Sequence, residues 1–152
     1  MFHDAYIAFG SNLGDRSANI QKAAAALNSL GQMKRVSPIL EYPAVDSPAG
    51  SPAFLNGVLH LQTELTPREL LDGLLNIELQ IGRKRSVRNA PRIIDLDLLM
   101  YDQVQSDAAD LQLPHPRMHE RRFVLEPFCV LAPDLIHPRL NKSIQQLFSE
   151  LP

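Results

Sequence analysis

The sequence predicts an α+β fold, an antiparallel sheet with helices packed on it, and three observations carry that prediction. Short apolar segments at 5–9, 33–42, 54–65 and 93–101 have the residue types and alternation of strands. Two segments, 15–30 and 66–81, place their apolar residues at helical spacing. The resulting order of strand, helix, strand, strand, helix, strand is that of a split βαβ arrangement.

The first strand, 5–9, runs into the turn formers Gly10, Ser11, Asn12, Leu13 and Gly14. A helix follows, with Ile20, Ala23, Ala24, Leu27 and Leu30 on one face and Gly31 as its stop. The two extended segments 33–42 and 54–65 are separated by Pro43, Pro48, Gly50 and Pro52, so 43–53 is a long irregular loop and a candidate binding lid. Thr66, Pro67 and Glu69 form the start signal of the second helix, whose buried stripe is Leu70, Leu74, Ile77 and Ile81, and Gly82 ends it. A basic loop with Arg83, Lys84, Arg85, Arg88 and Arg92 leads into the strand 93–101, where Ile94, Leu96, Leu98 and Met100 alternate with Asp95 and Asp97. The last third is punctuated by prolines, with short helices expected at 120–130 and 143–150.

The length of 152 residues suits one domain, 1–152, with a core that needs no staples. A formal charge of −2 provides no global field for nucleic acid or an anionic membrane, so any anion site is local. Cys129 lies in an apolar run and reads as a buried, inert thiol; with no second cysteine to pair with, a cytoplasmic setting is expected. No charged leader or membrane-length apolar run is evident, so neither secretion nor insertion is expected.

The chemistry concentrates at Asp95 and Asp97. Side chains two residues apart on a strand share a face, with Cα atoms about 6.5 to 7 Å apart, so both carboxylates point to one site. Their repulsion is relieved by protonation of one or by a hard divalent cation, and magnesium completed by substrate phosphates suits two carboxylates. Taken alone, this alternation also describes any half-exposed strand. The adjoining basic loop adds donors for phosphate oxygens. The stretch from Gly10 to Gly14 lacks the lysine of a P-loop and the three-glycine dinucleotide spacing. Pro114 and Pro116 flank His115, which argues against a helical metal pair with His119 and leaves His115 as a phosphate donor or a structural histidine.

The run from Arg88 to Leu99, Arg-Asn-Ala-Pro-Arg-Ile-Ile-Asp-Leu-Asp-Leu-Leu, resembles the signature of the 6-hydroxymethyl-7,8-dihydropterin pyrophosphokinases of folate biosynthesis. The segments 10–15, 54–56, 77–83, 113–116 and 121–125 are similar to that family in order and spacing, so the resemblance spans essentially the whole chain. It implies a ferredoxin-like fold in αβα layers, and transfer of pyrophosphate from ATP to the pterin hydroxyl with release of AMP. Asp95 and Asp97 would bind two magnesium ions, and Arg83 and Arg92 would act on phosphate oxygens. Arg85, Arg92, His115, Arg121 and the Leu98 backbone would contact ATP. Phe54 and Phe123 would sandwich the pterin, Asn56 would bind its edge, and Val45 would adjoin it. ATP and the pterin would be the only partners of a monomer.

Three departures stand out. The chain has no Trp in the basic loop, where some relatives close one over the pterin; Tyr42-Pro43-Ala44 replaces the usual tyrosine and threonine two apart; and Gln112 and Pro116 stand where some relatives contact nucleotide. They keep open a catalytically silent pterin- or nucleotide-binding module, while the acidic pair alone would also serve a two-metal phosphodiesterase.

Overall fold

Strand β1, His3–Ser11, is buried along most of its length, and the structure is organised around it. The computed structural model describes residues 1–44, 50–82 and 93–152. After β1 come α1 (Arg16–Leu27), β2 (Gln32–Val36), β3 (Leu40–Tyr42), β4 (Phe54–Thr63), α2 (Pro67–Ile81) and β5 (Asp95–Tyr101). The chain ends with β6 (Ser106–Ala108), β7 (Leu111–Leu113), one short helical turn at Met118–Glu120, α3 (Arg122–Leu131) and α4 (Ile144–Ser149).

The main sheet runs β2-β4-β1-β5, and every pairing in it is antiparallel. β3 pairs with β4 beyond β2, on the edge that β1 leaves open. The expected single segment 33–42 is therefore two strands. Pro38 lacks the N–H a ladder requires, and Ser37 bridges the break: its N–H donates to the Val58 carbonyl at 2.9 Å and its Oγ accepts the Val58 N–H at 2.9 Å.

Alternation along the strands supplies two cores. Ile7, Phe9, Leu59, Leu61, Leu96 and Leu98 pack beneath α1 and α2 with Leu27, Leu70, Leu74 and Ile77. Ala8, Val58, Leu99 and Met100 pack beneath α3 and α4 with Val124, Leu125, Phe128, Ile144 and Leu147. The layers are thus helix, sheet, helix, as expected. Both helix starts are chemically specified: Asp15 Oδ1 accepts the Ala18 N–H at 3.1 Å, and Thr66 and Glu69 form a reciprocal capping box.

Four features of this scaffold differ from expectation. Gly31 does not stop α1, which ends at Leu27; a Cβ on Gly31 would run into the Gln62 carbonyl of β4. The β6–β7 hairpin was not foreseen, because three-residue strands containing Ser, Asp and Ala carry no periodic signal. Strict alternation in β5 breaks at Leu99: Ile7 pairs with Leu98 and Tyr6 with Met100, so Leu99 is an extra residue and Met100 joins the α3 face instead of the Leu98 face. Cys129 is half-buried rather than fully buried, and burial still raises its thiol pKa, which keeps it inert.

Replacing Gly31 by Ala forces backbone movement against β4 and should cost about 1 to 3 kcal/mol. Chemical denaturation measures it, and an unchanged midpoint would rule out the close approach as the reason for glycine.

Candidate active site

Strand register brings the site together on the α3 face of the sheet, at the end where β1 runs out. Gly10 of β1 lies opposite Asp95 of β5 on one side and Asn56 of β4 on the other, and Asn56 in turn lies opposite Leu40 of β3. Asp97 stands opposite Ala8, and Tyr42 opposite Phe54. Asp95, Asp97, Asn56, Phe54 and Tyr42 therefore share one face, with Asp95 and Asn56 two strand spacings apart, about 10 Å. Gly10 clears the middle of this row: a Cβ there would sit 2.6 Å from Asn56 Nδ2 and 3.4 Å from Phe54 Cδ1. The acidic and aromatic halves of the site are thus open to each other across β1.

The first turn of α3 closes the aromatic half from above. The Phe123 ring lies 6.4 Å from that of Tyr42 and inclined to it, and the Arg121 guanidinium stands 5.5 Å from the Phe123 ring centre. Tyr42 Oη donates to Glu126 Oε1 at 2.7 Å, which ties β3 to α3. Burial and that hydrogen bond raise the Tyr42 pKa, so the phenol keeps its proton. Below, Arg16 Nη1 reaches the Ala53 carbonyl at 2.9 Å and Glu41 at 2.8 Å, and Asn12 Nδ2 donates to the Pro52 carbonyl at 3.1 Å. These contacts fasten the end of the 43–53 loop to the β1–α1 turn, where Gly14 takes a left-handed φ of 72°.

The acidic half is held by backbone anchors on β5. Glu78 of α2 is only 1% exposed, and its Oε2 accepts the Leu96 N–H, between the two aspartates, at 2.8 Å. At the bulge, the Leu99 carbonyl accepts the His115 N–H at 2.8 Å. The His115 Nδ1 accepts the Arg117 N–H at 3.2 Å, so the ring proton resides on Nε2. Burial, reinforced by Arg121 and opposed by Asp95, lowers the His115 pKa to about 4. His115 is therefore a neutral donor near pH 7. Among the described residues no group of three or more His, Cys, Asp or Glu side chains gathers as a metal site. Two carboxylates on one strand face suit magnesium completed by phosphate oxygens.

Residues 6–133 match the family model described as 7,8-dihydro-6-hydroxymethylpterin-pyrophosphokinase. The chain belongs to that family. The 2-amino-4-hydroxy-6-hydroxymethyldihydropteridine pyrophosphokinase of Pseudomonas aeruginosa is 42% identical over 140 residues, which cover 91% of this chain and 86% of that protein. The Bacillus subtilis protein of the same name is 41% identical over 84% of this chain and 77% of its own length. The folic acid synthesis protein fol1 of Schizosaccharomyces pombe is 37% identical over 97% of this chain, which spans only 20% of that longer protein. A crystal structure of Plasmodium falciparum HPPK-DHPS with pteroate superposes with a TM-score of 0.74 at 15% identity, covering 99% of this chain and 42% of that one, and so speaks to the fold alone. Family and relatives together support pyrophosphokinase activity in folate biosynthesis.

Of the residues expected at the pyrophosphokinase site, the structure gathers Asp95, Asp97, Asn56, Phe54 and Phe123 on one face, with His115 and Arg121 beside them. Leu98 buries its side chain on the opposite face, so only its backbone is available to a ligand. Val45, Arg83, Arg85 and Arg92 lie outside the described residues. Sequence reasoning missed Glu78 as the clamp on β5 and the Tyr42–Glu126 tie. Glu78 had a signal: it sits one helical turn after Leu74 beside the apolar stripe, where a carboxylate needs a buried donor. The tie between residues 42 and 126 had none.

Gly10→Ala should fold, since the clash is with a side chain, yet weaken pterin binding by displacing Asn56; titration with the pterin measures it, and unchanged affinity would remove Gly10 from the site. His115 also sets a pH dependence. Its folded pKa of about 4 lies below the ordinary histidine value of 6.5, so the unfolded chain takes up the proton first and stability falls as pH drops from 6.5 towards 4. His115→Asn should flatten the unfolding free energy across that window, measured by denaturation at several pH values; an equally steep profile would contradict it.

Proposed function

We infer that the chain transfers a pyrophosphoryl group from ATP to the hydroxyl of 6-hydroxymethyl-7,8-dihydropterin, releasing AMP, on the sheet face that holds Asp95, Asp97 and Asn56. The observation that supports this most is the row running from Asp95 past Gly10 to Asn56, which joins a phosphate-and-metal half to a heterocycle half without an intervening side chain. Phe54 and Phe123 supply faces for a flat ring, and the Asn56 amide supplies a donor and an acceptor for its polar edge. Burial of Asn56, at 9% exposure, fixes that amide and so favours a ligand with a matching edge.

Asp95 and Asp97 would hold two magnesium ions, whose charge offsets that carried by the phosphate oxygens during transfer. The clamp from Glu78 to the Leu96 N–H keeps the two carboxylates in register, and His115 donates from Nε2 to a phosphate oxygen without adding a charge of its own. Arg121 lies close enough to His115 to lower its pKa, and would bind ATP from the same side. Arg83, Arg85 and Arg92 would neutralise the triphosphate, and Val45 would cover the pterin. The Leu98 backbone would adjoin the adenine. Positioning of the hydroxyl against the phosphorus, rather than covalent help from the protein, would supply most of the rate.

Incubation of the protein with ATP, magnesium and the hydroxymethyl pterin should yield AMP and the pterin pyrophosphate in equal amounts. Hydrolysis of ATP without pterin would point instead to a phosphodiesterase, and binding of both ligands without AMP to a silent module. Asp97→Asn should lower turnover by at least about a hundredfold, the usual scale for loss of one charge-stabilising group, with little change in melting temperature. Full activity of that variant would reject the acidic pair as the metal site.

A further inference from the structure

Strand β3 is three residues long, and its strand partner among the described residues is β4, yet it is bolted to the rest of the fold on both faces. Successive strand side chains point to opposite faces. Glu41 reaches the start of α1, where its Oε2 accepts Arg16 Nη1 at 2.8 Å, and Tyr42 reaches α3, where its Oη donates to Glu126 Oε1 at 2.7 Å. So short a strand has few backbone hydrogen bonds of its own, and these side chains decide where it sits. Tyr42 also stands in one of the segments that depart from the family pattern.

Tyr42 lies opposite Phe54 in the β3–β4 register, and Phe123 precedes Glu126 by three residues, about one turn, on α3. All three aromatic rings are only partly buried. The rings of Tyr42 and Phe123, 6.4 Å apart and inclined at 60°, fall within the roughly 4.5 to 7 Å of rings in direct contact, which leaves no room for a flat ligand between them. A heterocycle between Phe54 and Phe123 therefore meets Tyr42 at its rim. Across the sheet, Tyr42 lies on the side of Phe54 away from β1, and three strand spacings, about 14 Å, separate its strand from the one that carries Asp95 and Asp97. Along that line the way is open at Gly10 and closed at Tyr42.

We propose that Tyr42 is the back wall of the pterin slot and Glu126 its positioning residue, so that the pair sets how near the pterin hydroxyl comes to phosphates at the aspartates. This rests on the reading that the heterocycle lies between Phe54 and Phe123. Tied to Glu126, the Tyr42 ring cannot swing aside, and a heterocycle resting against it keeps its hydroxymethyl arm directed across Gly10. Burial and the Glu126 hydrogen bond keep the phenol protonated, so the tie persists at neutral pH. Without the tie the slot lengthens away from β5: the ligand retains its aromatic faces and the Asn56 amide and loses its stop. The pair therefore acts on the rate at saturation more than on affinity.

Single-turnover formation of the pterin pyrophosphate, with enzyme in excess over pterin and with ATP and magnesium saturating, reads the positioned step; the pterin dissociation constant and the melting temperature are measured beside it. Tyr42→Phe and Glu126→Leu each remove the tie. Both should lower the saturating rate about tenfold, inside the roughly hundredfold that a misplacement of about 1 Å can cost, while the dissociation constant changes by less than about threefold. Glu126→Gln keeps an acceptor for the phenol and should stay within about twofold of the parent rate. The double variant Tyr42→Phe with Glu126→Leu should be no slower than either single one, because Glu126 acts through Tyr42. An unchanged saturating rate in the two single variants, even with weaker binding or a lower melting temperature, would overturn the proposal. So would a Gln variant as slow as the Leu variant, or losses that multiply in the double variant; pyrophosphate transfer would stand in each of these cases. An unaltered protein that forms no pterin pyrophosphate would overturn both.

Discussion

Two like charges fixed two residues apart on one strand face repel each other, and the site is arranged around keeping them there. Asp95 and Asp97 begin β5, an edge strand that only β1 supports within the sheet. The missing neighbour is replaced by side-chain and loop contacts: Glu78 takes the Leu96 N–H, and the Leu99 carbonyl takes that of His115. An edge strand with free donors and acceptors is a liability in most proteins. Here those backbone groups couple the carboxylates to α2 on one side and to His115 on the other.

The opposite requirement, open space, is met by Gly10. The core beneath α3 and α4 covers Ala8, Val58 and Met100, but one step further along β1 there is no side chain at all. Asn56 and Phe54 lean into that space. On the proposed reading a heterocycle at Asn56 and phosphates at the aspartates would meet over a bare backbone, and the separation between the two halves is set by strand spacing, which is among the least adjustable dimensions in a protein. The Tyr42–Glu126 bond then fixes how far α3 stands above the sheet, and with it the position of Phe123.

Two histidines that line one cleft follow the same rule. A proline after the histidine and an arginine N–H turned back onto Nδ1 make the ring a neutral donor, first at 115 and again at 137. Burial lowers the pKa of both. A neutral donor can orient an oxygen atom without adding a charge of its own.

Most of the fold could be read from the chain by itself, because periodicity and capping are local. The 3.6-residue stripe and the Thr66–Glu69 box specify α2, and the alternation of acid with aliphatic residues specifies β5 and the shared face of its two carboxylates. The motif from Arg88 to Leu99 carried the family. Local pattern could not reveal the break of the third extended segment at Pro38 into two strands, the three-residue hairpin, or the bulge at Leu99 that turns Met100 to the other core, since each depends on what the neighbouring strand does. The same limit applies to the site. Asp95 and Asp97 are neighbours in sequence and were legible there; the joining of Asn56 to Asp95 across Gly10, of Tyr42 to Glu126, and of His115 and His137 in one cleft comes only from register and packing, because proximity between residues 22 to 84 positions apart leaves no periodic trace in a single sequence.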